Sequence, residues 1–277
     1  MHTDDTHAER KMIKKKVQTY EENAAAGTPP ELSVEDIMDV FDYYSISGDE
    51  RKASEVLDYA IRWYPASSLP YIEKANEALA DGNIDEAIRY AGKVTDRDDY
   101  EYKYLEFTLL VAQGEMEEAK RYINECAKEV EESEDVDYDC MAIDIASTYI
   151  DYGYIMEGVE WLRTVKDKHS RDYREEYGKV MFSIGDYDKC IKACEKLIDD
   201  APYCIYYWQM IAMAYYMAAK YDDALRASEY ILAICPDDER GLYVKSNSLD
   251  KLGNKEEATK YYKKYCKVRR ESGKDVF

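Results

Sequence analysis

One string recurs along the chain at nearly fixed intervals: GDERKA, GNIDEA, GEMEEA, GYIMEG, GDYDKC, AKYDDA and GNKEEA. Its first residues are Gly48, Gly82, Gly114, Gly153, Gly185, Ala219 and Gly253, at steps of 34, 32, 39, 32, 34 and 34 residues. Six of the chain's 12 glycines occupy this slot. Such a period constrains the fold more than any other feature, because a copy this short cannot bury a core alone and must lean on its neighbours. Five residues after each anchor stand Ala53, Ala87, Ala119, Gly158, Cys190, Ala224 and Ala258, all small. Seven residues before it stand Phe41, Ala75, Phe107, Ala146, Gly178, Ala212 and Ser246, mostly small again. Pro65, Pro202 and Pro236 follow three of the anchors by seventeen residues.

Between these marks apolar residues recur at spacings of three, four and seven, as in Ala224, Ile231 and Ile234, seven and then three apart, which is helical periodicity. Each unit therefore reads as a helix, a Gly-centred turn, a second helix and a Pro-tolerant link. Gly ends the first helix because the chain there enters a left-handed conformation. The Asp or Asn that often follows, with acidic residues behind it, suits the next helix's first turn. Small residues in two facing slots let the paired helices approach closely, and Pro stops the second helix.

This grammar resembles the tetratricopeptide repeat family. The resemblance implies an all-α fold, a right-handed superhelical solenoid of helix-turn-helix repeats. It covers residues 34–270, with units near 34–67, 68–99, 100–138, 139–170, 171–204, 205–238 and 239–270. Unit 205–238 carries Trp208, Ala212, Tyr215, Ala224 and Pro236 in the family's places, and unit 171–204 carries Gly178, Gly185, Asp186, Tyr187 and Pro202. The third unit departs from the pattern with Phe107 in a small-residue slot, and the 39-residue step places an insertion around residues 131–139. Pentatricopeptide arrays share the period but bind RNA, and the charge argues against that. Half-repeat arrays of RNA-processing factors need a different aromatic pattern.

The ends differ from the array. Residues 1–33 read as a short charged helix over 8–22 and a linker, with Ser33 and Asp36 forming a helix start. Residues 271–277 form a tail. Residues 260–277 hold 7 Lys or Arg against 2 Asp or Glu, so this end is basic. No further polar helix is legible after the seventh unit, so Tyr261, Tyr262 and Tyr265 should lie near an open end among lysines.

Charge narrows the function classes. Acidic residues outnumber basic ones 59 to 38 over 277 residues, a net charge of −21. Nucleic-acid binding needs clustered Lys and Arg and is not expected. Mean hydropathy is −0.66, and no stretch approaches the ~20 apolar residues of a membrane span. No membrane partner is expected. The first residues lack a signal-peptide core, and the 7 cysteines are odd in number and irregularly spaced, so a reduced, cytoplasmic protein is expected. Tyrosine is abundant, 29 against 4 Phe and 3 Trp, which suits surfaces half buried and half wet.

Catalytic signals are missing: there is no phosphate loop, nucleophile elbow or paired-His zinc helix. No enzyme, cofactor or metal is expected. His2 and His7 lie in the N-terminal tail and His169 in a link. Cys190 and Cys194 share a helical face, but no further ligands complete a metal site, so they read as core. Asp135, Asp137 and Asp139 mimic a calcium loop whose required Gly and Glu are Cys140 and Ala146.

What the resemblance implies instead is a protein partner, its peptide or helix held in a concave groove lined by the first helix of each unit. Counting back from the anchors, the groove slots hold Asn76, Tyr104, Lys179, Phe182, Tyr206, Gln209, Met213, Tyr216, Met217, Tyr243 and Asn247, with Arg240 added by the seventh unit. The family's carboxylate clamp pairs Lys with Asn in one unit. Here Asn76 pairs with Ile72 and Asn247 with Tyr243, so the clamp is not supported. Met and Tyr adapt to apolar side chains, and amides can bond a peptide backbone. The expected function is a non-enzymatic scaffold for an apolar or amphipathic segment, with basic flanks that the acidic body attracts. The alternative is self-assembly, a homo-oligomer formed through the uncapped C-terminal end.

Overall fold

The computed structural model describes residues 2–132 and 136–271. Most of the 271–277 tail, part of the 131–139 insertion including Asp135, and the side chains of His2 and His7 lie outside the described residues. Among the described residues the elements are fifteen helices. A first helix, α1 (His2–Ala26), precedes seven pairs. The pairs are α2 (Val34–Ile46) with α3 (Glu50–Trp63), α4 (Leu69–Ala80) with α5 (Ile84–Ala91), and α6 (Tyr100–Gln113) with α7 (Met116–Glu132). Then come α8 (Tyr138–Asp151) with α9 (Ile155–Thr164), α10 (Arg171–Ser183) with α11 (Tyr187–Asp200), α12 (Ile205–Met217) with α13 (Tyr221–Ile234), and α14 (Glu239–Lys251) with α15 (Lys255–Glu271).

The recurring string is the turn inside each pair. All seven anchors have positive φ, from 58° at Ala219 to 86° at Gly153 and Gly253. The residue after each anchor donates its N–H five positions back to a first-helix carbonyl, as from Asp49 to Tyr44 at 3.0 Å and from Lys220 to Tyr215 at 2.9 Å. This is the wrapped helix end that a left-handed residue makes possible. The same residue often starts the second helix: Asp49, Asn83 and Asp186 each accept an N–H from three residues on. Pro65, Pro202 and Pro236 fall just beyond the ends of α3, α11 and α13.

Packing follows the small slots. The slot five after each anchor is buried in every pair, and the slot seven before it is buried in all but the first, where Phe41 is half-buried. Phe107 is fully buried in its small-residue slot and leaves the register intact, since Gly114 still has φ 78° and Glu115 still bonds Leu110. Much of the extra length in that repeat lies in α7, which runs to 17 residues.

The chain divides into two compact units, Met1–Ser133 and Glu134–Phe277. In the first, α1 is longer than the 8–22 helix its charge pattern predicts, and it packs Val17 and Tyr20 against the α2–α3 hairpin. Tyr44 donates to Glu21 at 2.8 Å, and Lys16 bridges Asp36 at 2.5 Å and also Asp39. Ser33 and Asp36 form a reciprocal cap at the start of α2. In the second unit one core runs through α8 to α14, from Ala142 to Val244.

Candidate functional site

In the second unit α10, α12 and α14 are the first helices of three successive hairpins. Their starts are fixed locally. Ser170 caps α10 by accepting from Tyr173 N at 3.2 Å. Asp238 caps α14 by accepting from Gly241 N at 2.7 Å. Its second oxygen accepts from Gln209 Nε2 at 2.7 Å, tying α12 to α14. Gly178 removes bulk between α10 and α12: a Cβ there would lie 3.2 Å from Met210 Sδ.

These helices wall a pocket of about 490 Å³, mostly apolar and aromatic, with Phe182, Met210, Met213, Tyr206 and Tyr243 among its lining residues. Tyr265 of α15 also lines it, its ring 5.5 Å from that of Tyr243. Arg269 holds Tyr265 in place, donating to its hydroxyl at 3.0 Å while pairing with Glu239 at 3.0 Å. Two cations, Lys179 and Arg240, join the lining. Lys179 bonds the buried Glu176 carboxylate at 2.8 Å. Burial alone would lower the Lys179 pKa, but the bond and charge of Glu176 outweigh it and the net direction is up. The other oxygen of Glu176 has no hydrogen-bond partner among the described residues. Burial likewise pushes the Tyr206 phenol up. The site thus offers adaptable hydrophobic walls, phenol hydroxyls and two positive groups.

Seven of the groove residues read from the sequence, Lys179, Phe182, Tyr206, Gln209, Met213, Arg240 and Tyr243, come together in this pocket. Tyr216, Met217 and Asn247 lie on the same helices but not on its wall. Tyr216 leans on Tyr221 at 5.7 Å, and Met217 is exposed. Asn76 and Tyr104 belong to the first unit, on α4 and α6; Tyr104 stacks on Tyr100 at 6.3 Å. The amides differ from the expectation of free peptide-bonding groups. Gln209 Nε2 donates to Asp238, Asn247 Nδ2 to the Tyr243 carbonyl at 2.8 Å, and Asn76 Nδ2 to Glu73 at 3.5 Å.

The slot reading missed Met210, Ser183, Glu239 and Tyr265. Met210 stands nine before its anchor, beside slots that were counted. Tyr265 comes from a second helix, and its place near the end of the array was its only signal in the sequence.

A tetratricopeptide-repeat family model matches residues 239–272, the hairpin that closes this pocket. The hairpin α14–α15 is a tetratricopeptide repeat, and the six hairpins before it share its helix-turn-helix plan. Among solved structures, "MamA RS-1 ArsTM double mutant" matches with a TM-score of 0.52 and 16% identity, over 61% of this chain and 96% of that one. "MamA 41-end from Desulfovibrio magneticus RS-1" matches at 0.48 and 13%, over 74% and 96%. "Crystal structure of MamA protein" matches at 0.45 and 19%, over 74% and 93%. At 16% identity the first of these is a likeness of fold. No curated protein matches the sequence. Tetratricopeptide hairpins present their first helices side by side, and α10, α12 and α14 do so here around the pocket.

Proposed function

We propose that the protein is a non-enzymatic interaction scaffold that holds an apolar or amphipathic peptide or helix of a partner protein against α10, α12 and α14. One observation supports it above the rest: seven residues picked by repeat slot alone line one pocket of about 490 Å³. Its aromatic and Met walls suit apolar side chains, and its exposed Tyr206 and Tyr243 add rigid contact area. The −21 net charge draws a partner whose flanks are basic outside the pocket. Seven free thiols suit a reducing compartment, the cytoplasm. Among the described residues no helix is long and apolar enough to cross a membrane.

The test is site-specific photocrosslinking in cells. A photoreactive phenylalanine derivative at Tyr206 should capture a discrete partner. The same group at Tyr203, which is 83% exposed and off the pocket wall, should not. Met213→Ala with Tyr243→Ala should abolish the capture while the helical circular dichroism signal persists. Equal capture from both positions, or capture that survives the double substitution, refutes the reading.

A further inference from the structure

The last helix carries a face that its counterparts bury. Nine residues after the anchors stand Leu57, Ala91, Ile123, Leu162, Cys194 and Ser228, each at most 4% exposed. In α15 the same slot is Tyr262, at 42%. In the hairpin before it, this side of the second helix receives the next first helix: Gly241 of α14 lies so close to Ile231 of α13 that a Cβ would come within 2.7 Å of it. Among the described residues no helix follows α15. Lysines surround the face. Lys260 and Lys264 stand 5.9 and 5.6 Å from the Tyr261 ring, and Lys263 is exposed. None of the three has a carboxylate partner among the described residues. Residues 260–277 carry 7 Lys or Arg against 2 Asp or Glu in a chain of net charge −21.

The first unit carries the opposite. Asp42 of α2, Glu73 of α4 and Glu101 of α6 lie on three successive first helices and have no ion-pair partner among the described residues. Burial first, and then repulsion from Asp42 and Glu101, hold the Glu73 carboxyl up. Beside them is an apolar pocket of about 520 Å³ lined by Met12, Ile13, Tyr43 and Ile46, with Asp42 and the ion pair of Lys16 and Asp39. Ile46 is 88% exposed. One surface thus offers rings among lysines without carboxylate partners, and the other an apolar pocket beside three carboxylates, Asp42, Glu73 and Glu101, that have no ion-pair partner among the described residues.

We infer that copies of this chain join head to tail, the open face of α15 of one copy seating on the acidic first-helix face of the N-terminal unit of the next. A two-fold contact of α15 with α15 would set lysines against lysines, which opposes it. Joining unlike surfaces is a heterologous contact, so it propagates into open chains or closes into rings rather than stopping at a dimer. The contact uses the face of α15 that carries Tyr262, whose ring lies 5.9 Å from that of pocket-lining Tyr265, and it does not depend on a peptide binding in the pocket.

The test is sedimentation velocity on the full chain across a concentration series, in low salt and in about 0.5 M salt, where surface charge is screened. Concentration-dependent species larger than a dimer are expected in low salt, and monomer in high salt. Lys263→Glu with Lys264→Glu should weaken association at least about tenfold, and so should Asp42→Lys with Glu101→Lys. Mixing the two charge-reversed proteins should restore heterotypic association. Circular dichroism confirms that each variant is folded. A monomer at every concentration in low salt overturns the inference. So do assemblies that neither reversal affects, or reversals that do not complement each other. A low-salt monomer that is merely more compact, and loosens in the Lys263→Glu, Lys264→Glu variant, would put α15 on its own chain and overturn assembly.

Discussion

A Cβ on Gly158 would lie 2.9 Å from the carbonyl oxygen of Ala146. These residues are the two small slots of one hairpin, and their closeness shows what the slots do: they set how near α8 and α9 come. The same Cβ would come within 2.6 Å of Ile150. On an open helix face Gly→Ala gains about 1 kcal/mol of helix propensity. Here Gly158→Ala is expected to destabilise by about 1–3 kcal/mol, because the added methyl overfills a packed contact. Urea unfolding followed by helical signal checks it, and a variant at least as stable as the parent would contradict the packing.

Ala219 is the one anchor that is not glycine, and its φ of 58° is left-handed all the same. Left-handed backbone costs an L-residue about 1–2 kcal/mol, partly offset because glycine loses more freedom on folding, about 0.5–1 kcal/mol. Ala219→Gly is therefore expected to raise stability by about 0.5–1 kcal/mol. Gly48→Ala should do the reverse. Nothing lies within 4 Å of the Cβ that Gly48 lacks, so that substitution isolates backbone strain from crowding. Equal melting temperatures for parent and Ala219→Gly would remove the account.

The parts of this fold legible in the sequence are those set locally. A left-handed turn needs Gly, a close helix pair needs small residues, and both recur at fixed offsets from one anchor. The division between Ser133 and Glu134 was not legible, since it depends on which hairpins pack on which across the chain. Nor was the reach of α1, whose few apolar residues, Val17 and Tyr20 among them, are hidden in a charged pattern. At the candidate site the slot count placed Tyr206, Met213 and Tyr243 because they depend only on helical phase. It could not place Tyr265, which reaches the pocket from a second helix, or foresee that Asp238 occupies the Gln209 amide. Both are contacts between elements, invisible to a periodic reading of one.

Tyr207 is 1% exposed and its hydroxyl works in both directions. It donates to the Glu175 carboxylate and accepts from Arg171 Nε at 2.7 Å. Burial first, and then the Glu175 bond, push the phenol up to about 12. A proton held more tightly in the folded state gives stability that is present below the phenol's ordinary value of about 10 and lost as pH rises through the folded one. Tyr207→Phe is expected to cost about 1–3 kcal/mol near neutrality, as hydrogen bonds to charged groups do. It should also remove part of the loss of stability above about pH 10. Urea midpoints at neutral and alkaline pH read both effects, and an unchanged alkaline profile would count against the shared proton.

Glu73 gives the first unit an opposite dependence at lower pH. Burial is the largest cause of its raised pKa, the Asn76 bond opposes it, and Asp42, Glu101 and Glu77 add repulsion. Because the folded state holds this proton more tightly, its contribution is fully present below the ordinary glutamate value of about 4.3 and is lost as pH rises through the folded value. Asp42 and Glu101 are raised too, with burial the largest cause in each. Asp36 and Glu21 are lowered, by their bonds to Lys16 and to Tyr44 respectively, so their contributions disappear only as pH falls below the ordinary carboxylate range. The two windows do not coincide. Calorimetry should show the melting temperature of the first unit rising as pH falls from neutrality towards the ordinary carboxylate range, then dropping as pH falls below that range. Glu73→Gln should raise that temperature at pH 7 and flatten the rise, since the neutral amide removes the repulsion that protonation would relieve. A variant that melts lower at pH 7 with an unaltered pH profile would show that Glu73 is compensated in the folded state.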